Sequence, residues 1–95
     1  MTQDEIFQIA GLMLNKVRKR LEVKGIFFEI TENAQWELAR AGFDPVFGAR
    51  PLRRVIQDNV DNALANYLLT DKIARRDTVI YGEGGKIEIK KAKGY

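Results

Sequence analysis

The chain has 95 residues, of which 45% are hydrophobic and 31% charged, as in one ordinary globular domain with a single modest core. It contains no cysteine, histidine or serine, which excludes disulfides, thiolate or Ser–His nucleophiles and the usual zinc ligands. The net charge of +3 is a mild basic excess, and no apolar run approaches the length of a membrane span.

The first predicted element is a helix that starts after Thr2 and stops at Gly25. Thr2 and Glu5 have the spacing of a capping box, which satisfies free N–H groups at a helix start. The apolar stripe at helical spacing consists of Ile6, Ile9, Ala10, Met13, Val17 and Leu21. Phe7, Leu12 and Leu14 lie off this stripe, which indicates burial either against a partner or on two sides within the domain.

A second helix is predicted from the cap residue Thr31 to about Ala41. Its narrow apolar stripe consists of Ala34, Leu38 and Ala41. Trp36 lies off this stripe and is expected to be partly exposed.

Between this helix and the next, two glycines and two prolines within ten residues predict a rigid bend. We expect Gly42 to end the second helix in a left-handed conformation and Pro51 to occupy the first turn of the next. Arg50 then lies at or near the N-cap, where free N–H groups and the helix dipole favour a phosphate or carboxylate. From these residues alone, a structural role in packing or in a surface ion pair is the commoner one for such an arginine.

The longest helix is predicted from Pro51 to about Leu69. Its apolar face consists of Leu52, Val55, Ile56, Ala63, Leu64, Tyr67 and Leu68. Its opposite face consists of Arg53, Arg54, Gln57, Asp58 and Asp61 and is interpreted as solvated, with Arg54 and Asp58 paired at i,i+4.

Three short β-branched or aromatic segments predict strands at residues 26–30, 78–81 and 86–90. In the first, Ile26, Phe28 and Ile30 share one face. The last two flank the glycine-rich residues 82–85, which predict a hairpin turn rather than a phosphate loop because no helix follows them. Residues 70–77 read as a polar connection and residues 91–95 as a frayed tail.

The element order favours an α+β fold in which three helices pack on one face of a small three-stranded sheet, in the order α-β-α-α-β-β. The last two strands form a hairpin, and a helical crossover joins them to the first. Residues 1–95 are predicted to be one domain.

Two broad functions are open from composition alone. The cluster Lys16, Arg18, Lys19, Arg20 and Lys24 and the Arg53–Arg54 pair favour a small basic nucleic-acid-binding module, although solvated helix faces explain such clusters more often. A free-standing protein-interaction domain is the other. Catalysis by the isolated chain is not expected, because it lacks the G-x-x-x-x-G-K-[ST] loop that cradles a triphosphate.

The residues Gly-Phe-Asp-Pro-Val-Phe-Gly-Ala-Arg-Pro-Leu-Arg-Arg-Val-Ile-Gln at 42–57 closely resemble the C-terminal small (lid) domain of Clp-type AAA+ chaperones and unfoldases, of the ClpB/ClpC kind. The predicted first helix, first strand and final hairpin also fit that domain, so the resemblance covers nearly the whole chain. It implies that the chain is a fragment of a much longer ATPase that assembles into hexameric rings.

The resemblance also implies roles for particular residues. Arg50 matches the sensor-2 arginine, which reaches the terminal phosphate of ATP held, with Mg, on the adjoining large domain. Gly48 and Ala49 would let the backbone approach this nucleotide, and Ile9, or another residue on the same face of the first helix, would pack on the adenine. No cofactor is expected on the isolated domain.

The family implies a nucleotide-sensing lid of a cytoplasmic protein disaggregase or unfoldase, coupling ATP hydrolysis to domain motion. The expected partners are the AAA+ large domains of the same chain and of the neighbouring subunit. Through the parent protein, unfolded or aggregated proteins are the expected substrates, with no membrane or nucleic-acid partner and no bound metal of its own.

Overall fold

The computed structural model describes residues 2–70 and 72–92, and its elements follow the predicted order. The first half contains helix α1 (Gln3–Val23), strand β1 (Phe27–Ile30) and helix α2 (Glu32–Ala41). The second half contains α3 (Leu52–Ile56), a π-helical segment (Gln57–Asp61), α4 (Asn62–Leu69), β2 (Thr78–Tyr81) and β3 (Ile87–Lys90). The backbone stays right-handed helical across both junctions, so residues 52–69 form one long helix. The prediction that this helix is the longest is wrong, because α1 has 21 residues. The predicted α+β class is confirmed.

The sheet has the strand order β1-β2-β3, with β1 parallel to β2 and β2 antiparallel to β3. This is the predicted hairpin joined to the first strand by a helical crossover. In the register, Phe28 lies opposite Val79, which in turn lies opposite Ile89. Phe28 and Val79 are buried under the helices, whereas Phe27, one residue along, is exposed. The alternation along β1 therefore follows the predicted faces.

Helix α1 is the centre of the fold and contacts β1, α2 and α3. Its buried residues are Ile6, Ala10, Leu14, Val17 and Leu21, while Ile9 and Met13 are half-buried. The prediction that Leu14 lies off the core stripe is wrong, because Leu14 lies one turn after Ala10 and one turn before Val17 on the buried face of α1. Of the two explanations for its wide apolar surface, packing within the domain accounts for Leu14 and Phe7, although Leu12 remains exposed.

The contact between α1 and α2 includes an aromatic pair. The rings of Phe7 and Trp36 stack with their centroids 4.2 Å apart, and Gln35 Nε2 donates to the Phe7 carbonyl at 2.9 Å. Trp36 is half-buried as a result, which gives it a structural role. On the same helix Ala39 is buried and Ala41 is exposed, so the predicted inclusion of Ala41 in the core stripe is wrong.

The π-helical segment alters the register of the long helix. In it the Asn62 N–H donates to the Gln57 carbonyl, five residues earlier, and Asn59 Nδ2 donates to the Val55 carbonyl at 2.8 Å. A π turn is wider than an α turn, so it delays the rotation of side chains about the helix axis. The buried residues therefore follow a spacing of four, as Leu52, Ile56, Val60 and Leu64. Val60 was absent from the predicted apolar face.

Asp77, the buried carboxylate before β2, ties two connections together. It accepts hydrogen bonds from the Ala74 N–H at 2.8 Å, the Ala92 N–H at 3.0 Å and Lys91 Nζ at 2.9 Å. These bonds lower the pKa of Asp77 from 3.8 to about 2, and the two bonds from backbone N–H groups have the largest effect. Lys91 and Ala92 are thus ordered, contrary to the predicted frayed tail, whose remaining residues 93–95 lie outside the described part of the chain.

We expect Asp77 to make the domain acid-sensitive. Because its pKa is lower in the folded chain than the ordinary 3.8, its contribution to stability is complete above that value and is lost as the pH falls towards about 2. Urea unfolding of Asp77→Asn should show lower stability at neutral pH and a flatter fall across this acid window. Asp58→Asn, on an exposed helix face, is the control. Equal acid dependence in the wild type and in Asp77→Asn would contradict the assignment.

Candidate functional site

The loop at residues 42–51 joins α2 to α3 and holds most of the predicted site. Gly42 ends α2, with its N–H donating to the Leu38 carbonyl at 2.9 Å. Its φ is −94°, so the predicted left-handed conformation is wrong. The requirement for glycine is steric instead, because a Cβ at this position would lie 2.5 Å from Leu52 Cα. Gly42 therefore lets α2 and α3 approach closely.

Asp44 holds the loop in a closed shape. Its Oδ1 accepts from the Val46 N–H at 2.7 Å and from the Phe47 N–H at 2.9 Å. The backbones of Asp44 and Gly48 also bond to each other in both directions, at 2.8 and 2.7 Å. Asp44 was not among the residues predicted from the sequence to form the site. The available signal was an aspartate followed by proline, a common start of a turn closed by the aspartate side chain.

Two further residues set the exit from the loop. Gly48 has a φ of +64°, in the left-handed region where glycine is favoured. Pro51 is the N-cap residue of α3, with a φ of −71°, and Leu52 is the first helical residue. Pro51 thus lies one position earlier than predicted, and Arg50 directly precedes the N-cap. The Ala49 carbonyl accepts from the Leu52 N–H at 3.0 Å, and Ala49 packs half-buried against the core.

Arg50 points its charge away from the core. The residue is exposed, and its guanidinium carbon lies 5.4 Å from the centre of the Phe47 ring. Within residues 2–70 and 72–92, the ion pairs at 4 Å or less join other residues and leave Arg50 without a carboxylate partner. The surface ion pair considered from sequence is therefore absent among the described residues. With respect to the described residues, the five N–H donors of the guanidinium can therefore bind an anion.

Ile9 lies half-buried on α1, at the same end of the domain as this loop. Arg20 Nη2 on α1 is 3.1 Å from Asp61 Oδ2 on the long helix. Only three residues of α1 follow Arg20, because the helix ends at Val23. The segment α3, which precedes Asp61 on the long helix, therefore contacts α1 on the N-terminal side of Arg20. The two helices thus run in the same direction, and their early residues lie near each other. The contact of Ile9 with adenine stays a prediction.

The basic cluster on α1 is partly used inside the domain. Arg18 donates from Nε to the Phe28 carbonyl at 3.1 Å and from Nη1 to Asn15 Oδ1 at 2.9 Å. Arg20 Nη2 donates to both carboxylate oxygens of Asp61, each at 3.1 Å. The Asp61 carboxylate offsets the charge of Arg20, and the contacts of Arg18 hold its guanidinium against the domain. These contacts give no support to a nucleic-acid interface. Among the residues that the structure describes, no helix is both long and apolar enough to cross a membrane.

A three-stranded α+β domain with an exposed arginine in a Gly-Ala-Arg turn before the long helix of residues 52–69 has the features of the small C-terminal domains of Clp-type AAA+ proteins. Comparison with protein families agrees with this class. The family model described as the C-terminal, D2-small domain of ClpB protein matches residues 1–81 of this chain, and the chain belongs to this family.

Relatives with this domain come from several bacteria. Chaperone protein ClpB of Wolinella succinogenes is 39% identical over 84 residues, covering 87% of this chain and 10% of that protein. Chaperone protein ClpB of Aquifex aeolicus is 41% identical over 93 residues, covering 96% of this chain and 9% of that protein. The ATP-dependent Clp protease ATP-binding subunit ClpE of Streptococcus pneumoniae is 37% identical over 93 residues, covering 98% of this chain and 12% of that protein. The chain thus spans about a tenth of the length of these relatives.

Proposed function

We propose that this chain is the nucleotide-sensing lid of an ATP-driven protein disaggregase or unfoldase. In this proposal residues 1–95 are one domain of a longer ATPase, and the adjoining large domain holds ATP with Mg. The lid supplies Arg50 as the sensor-2 residue, while Gly48, Ala49 and Ile9 lie around the nucleotide. The parent acts as a cytoplasmic hexameric ring on unfolded or aggregated proteins, and the lid contacts the large domains of its own and the neighbouring subunit.

The observation that carries the proposal is the state of Arg50. A guanidinium that is exposed and unpaired by any described carboxylate is suited to a phosphate, which it binds through two parallel hydrogen bonds. A second support is the family itself, since a relative such as ClpE of Streptococcus pneumoniae is named as an ATP-binding subunit.

The rigid loop explains how such a bond would move a domain. Arg50 lies two residues before Leu52, the first residue of the long helix. Four residues of that helix are buried in the core, Leu52, Ile56, Val60 and Leu64, so a pull on Arg50 acts on the domain as a body. A hydrogen bond to a charged group contributes about 1.5–3 kcal/mol net. If the bond forms with ATP and not with ADP, the difference is available to shift the angle between the two domains. Cleavage of the phosphate stays with the large domain, and Arg50 stabilises charge on the phosphoryl oxygens.

The test is Arg50→Ala in the full ATPase that carries this domain. We expect hydrolysis, or the closure of the domains on ATP, to fall by roughly ten- to a hundredfold, because about 1.5–3 kcal/mol of interaction is lost. Binding of ADP should change little. Steady-state hydrolysis and a fluorescence distance between the two domains measure these effects.

Arg54→Ala is the matched control, since its side chain is 86% exposed and its Asp58 partner lies 3.9 Å away across a solvated face. It should keep wild-type hydrolysis. The unfolding curve of Arg50→Ala should also match that of the wild type, because the side chain is outside the core. Normal turnover and a normal response to ATP in Arg50→Ala would remove the sensor role.

A further inference from the structure

The side chain beneath Arg50 has no evident role in folding. The Phe47 residue is 58% exposed, far outside the range of the core residues. Its backbone is nevertheless fixed firmly, because its N–H donates to Asp44 Oδ1 at 2.9 Å and its carbonyl accepts from the Arg50 N–H at 3.2 Å. The loop therefore presents an aromatic ring at a defined place on the surface.

The ring and the guanidinium are in cation–π range. Arg50 Cζ lies 5.4 Å from the ring centroid, within the roughly 6 Å over which an aromatic face attracts a cation. A guanidinium on a long side chain otherwise samples many rotamers, and fixing it on an anion costs conformational entropy. A ring that already holds the guanidinium reduces this cost before any ligand arrives.

We propose that Phe47 is a positioning residue for Arg50, and that the Asp44 carboxylate holds Phe47 in place for this purpose. This inference rests on the proposed sensing function and deepens it. Phe47 does not touch the phosphate in this arrangement. It acts by restricting the guanidinium to orientations from which Arg50 reaches a phosphate on the neighbouring domain.

The first experiment needs no nucleotide and uses the 95-residue chain. In wild type, the ring current of Phe47 should displace the proton resonances of the Arg50 side chain from their ordinary positions. Phe47→Leu should abolish the displacement, and Phe47→Tyr should retain it because the aromatic face is kept. Phe27→Leu is the control, since Phe27 is similarly exposed, at 55%, but lies on the sheet. Ordinary Arg50 resonances in the wild type would overturn the proposal.

The second experiment uses the full ATPase and a double-mutant design. Phe47→Leu alone should weaken the response to ATP by roughly two- to fivefold, the size of an exposed cation–π contact, and Phe47→Tyr should restore it. In an Arg50→Ala background, Phe47→Leu should have no further effect, because it acts through the missing guanidinium.

The possible failures are distinguishable. Wild-type hydrolysis and a wild-type response to ATP in Arg50→Ala would reject the sensing function itself. A strong effect of Arg50→Ala combined with a wild-type response in Phe47→Leu would reject only the positioning role. A loss from Phe47→Leu that persists in the Arg50→Ala background would also overturn it, since Phe47 would then act independently of Arg50.

Discussion

Leu64→Ala is expected to lower the free energy of unfolding by about 2–5 kcal/mol. Leu64 is 3% exposed and belongs to the core cluster that also contains Val60 and Ile56. Removing its branched end takes away apolar burial and leaves a cavity that a close-packed interior fills only in part. Because a domain of this length has a total stability of about 5–14 kcal/mol, the loss is a large fraction of it.

Chemical denaturation of the two proteins measures this change, and the same helix offers a matched control. Leu69 ends α4 and is 83% exposed, so Leu69→Ala deletes the same atoms from a solvated position. Its cost should stay within about 0.5 kcal/mol. Equal losses in the two variants would show that the register of the long helix, including its π-helical turn, is not the one described.

Features that depend on a few neighbouring residues were predictable from sequence. The Thr2 and Thr31 caps are confirmed, with each hydroxyl accepting from an N–H three residues later at 3.2 Å. The order of helices and strands followed from apolar periodicity, because each element must turn one face to the core. The hairpin and crossover then followed from the order of the strands.

Features that depend on distant contacts were not predictable in the same way. The π-helical turn brings Val60 into the core, and no periodic pattern of an ideal α-helix indicates such a turn. Ala39 and Ala41 differ in burial although both are small, because the neighbouring elements decide which side of α2 is covered. Asp77 receives its N–H partner from Ala92, 15 residues later, so its role depends on how the chain returns after β3.

The site shows the same division. The glycines and prolines of the bend indicated that Arg50 lies at the start of a helix, and its position is off by no more than one residue. The hydrogen bonds that Asp44 accepts and the position of the Phe47 ring beneath Arg50 become visible only in the folded loop. The sensing role of Arg50 came from the family resemblance and stays a proposal.

Gly42→Ala is expected to destabilise the domain by about 1–3 kcal/mol or more, through overpacking rather than through backbone conformation. The φ of Gly42 is one that alanine adopts readily, so no strain arises from the dihedral angle. The added Cβ would lie 2.5 Å from Leu52 Cα and 2.8 Å from Leu52 Cβ. Those atoms are at the backbone of α3, so rotation of a side chain cannot relieve the overlap, and α3 must move away from α2.

Gly82→Ala separates this effect from the general cost of changing a glycine. Gly82 also has a negative φ, and a Cβ there would meet only the Lys86 carbonyl oxygen at an ordinary 3.5 Å. Thermal unfolding should therefore show a large loss of stability for Gly42→Ala and little change for Gly82→Ala.

The displacement of α3 should also reach Arg50, two residues before Leu52, and alter its side-chain resonances in the folded protein. Leu64→Ala should leave those resonances unchanged while it is folded, because its cavity lies three turns further along. If Gly42→Ala were as stable as wild type and kept the same Arg50 resonances, the close contact of α2 with α3 could not be what fixes the arginine.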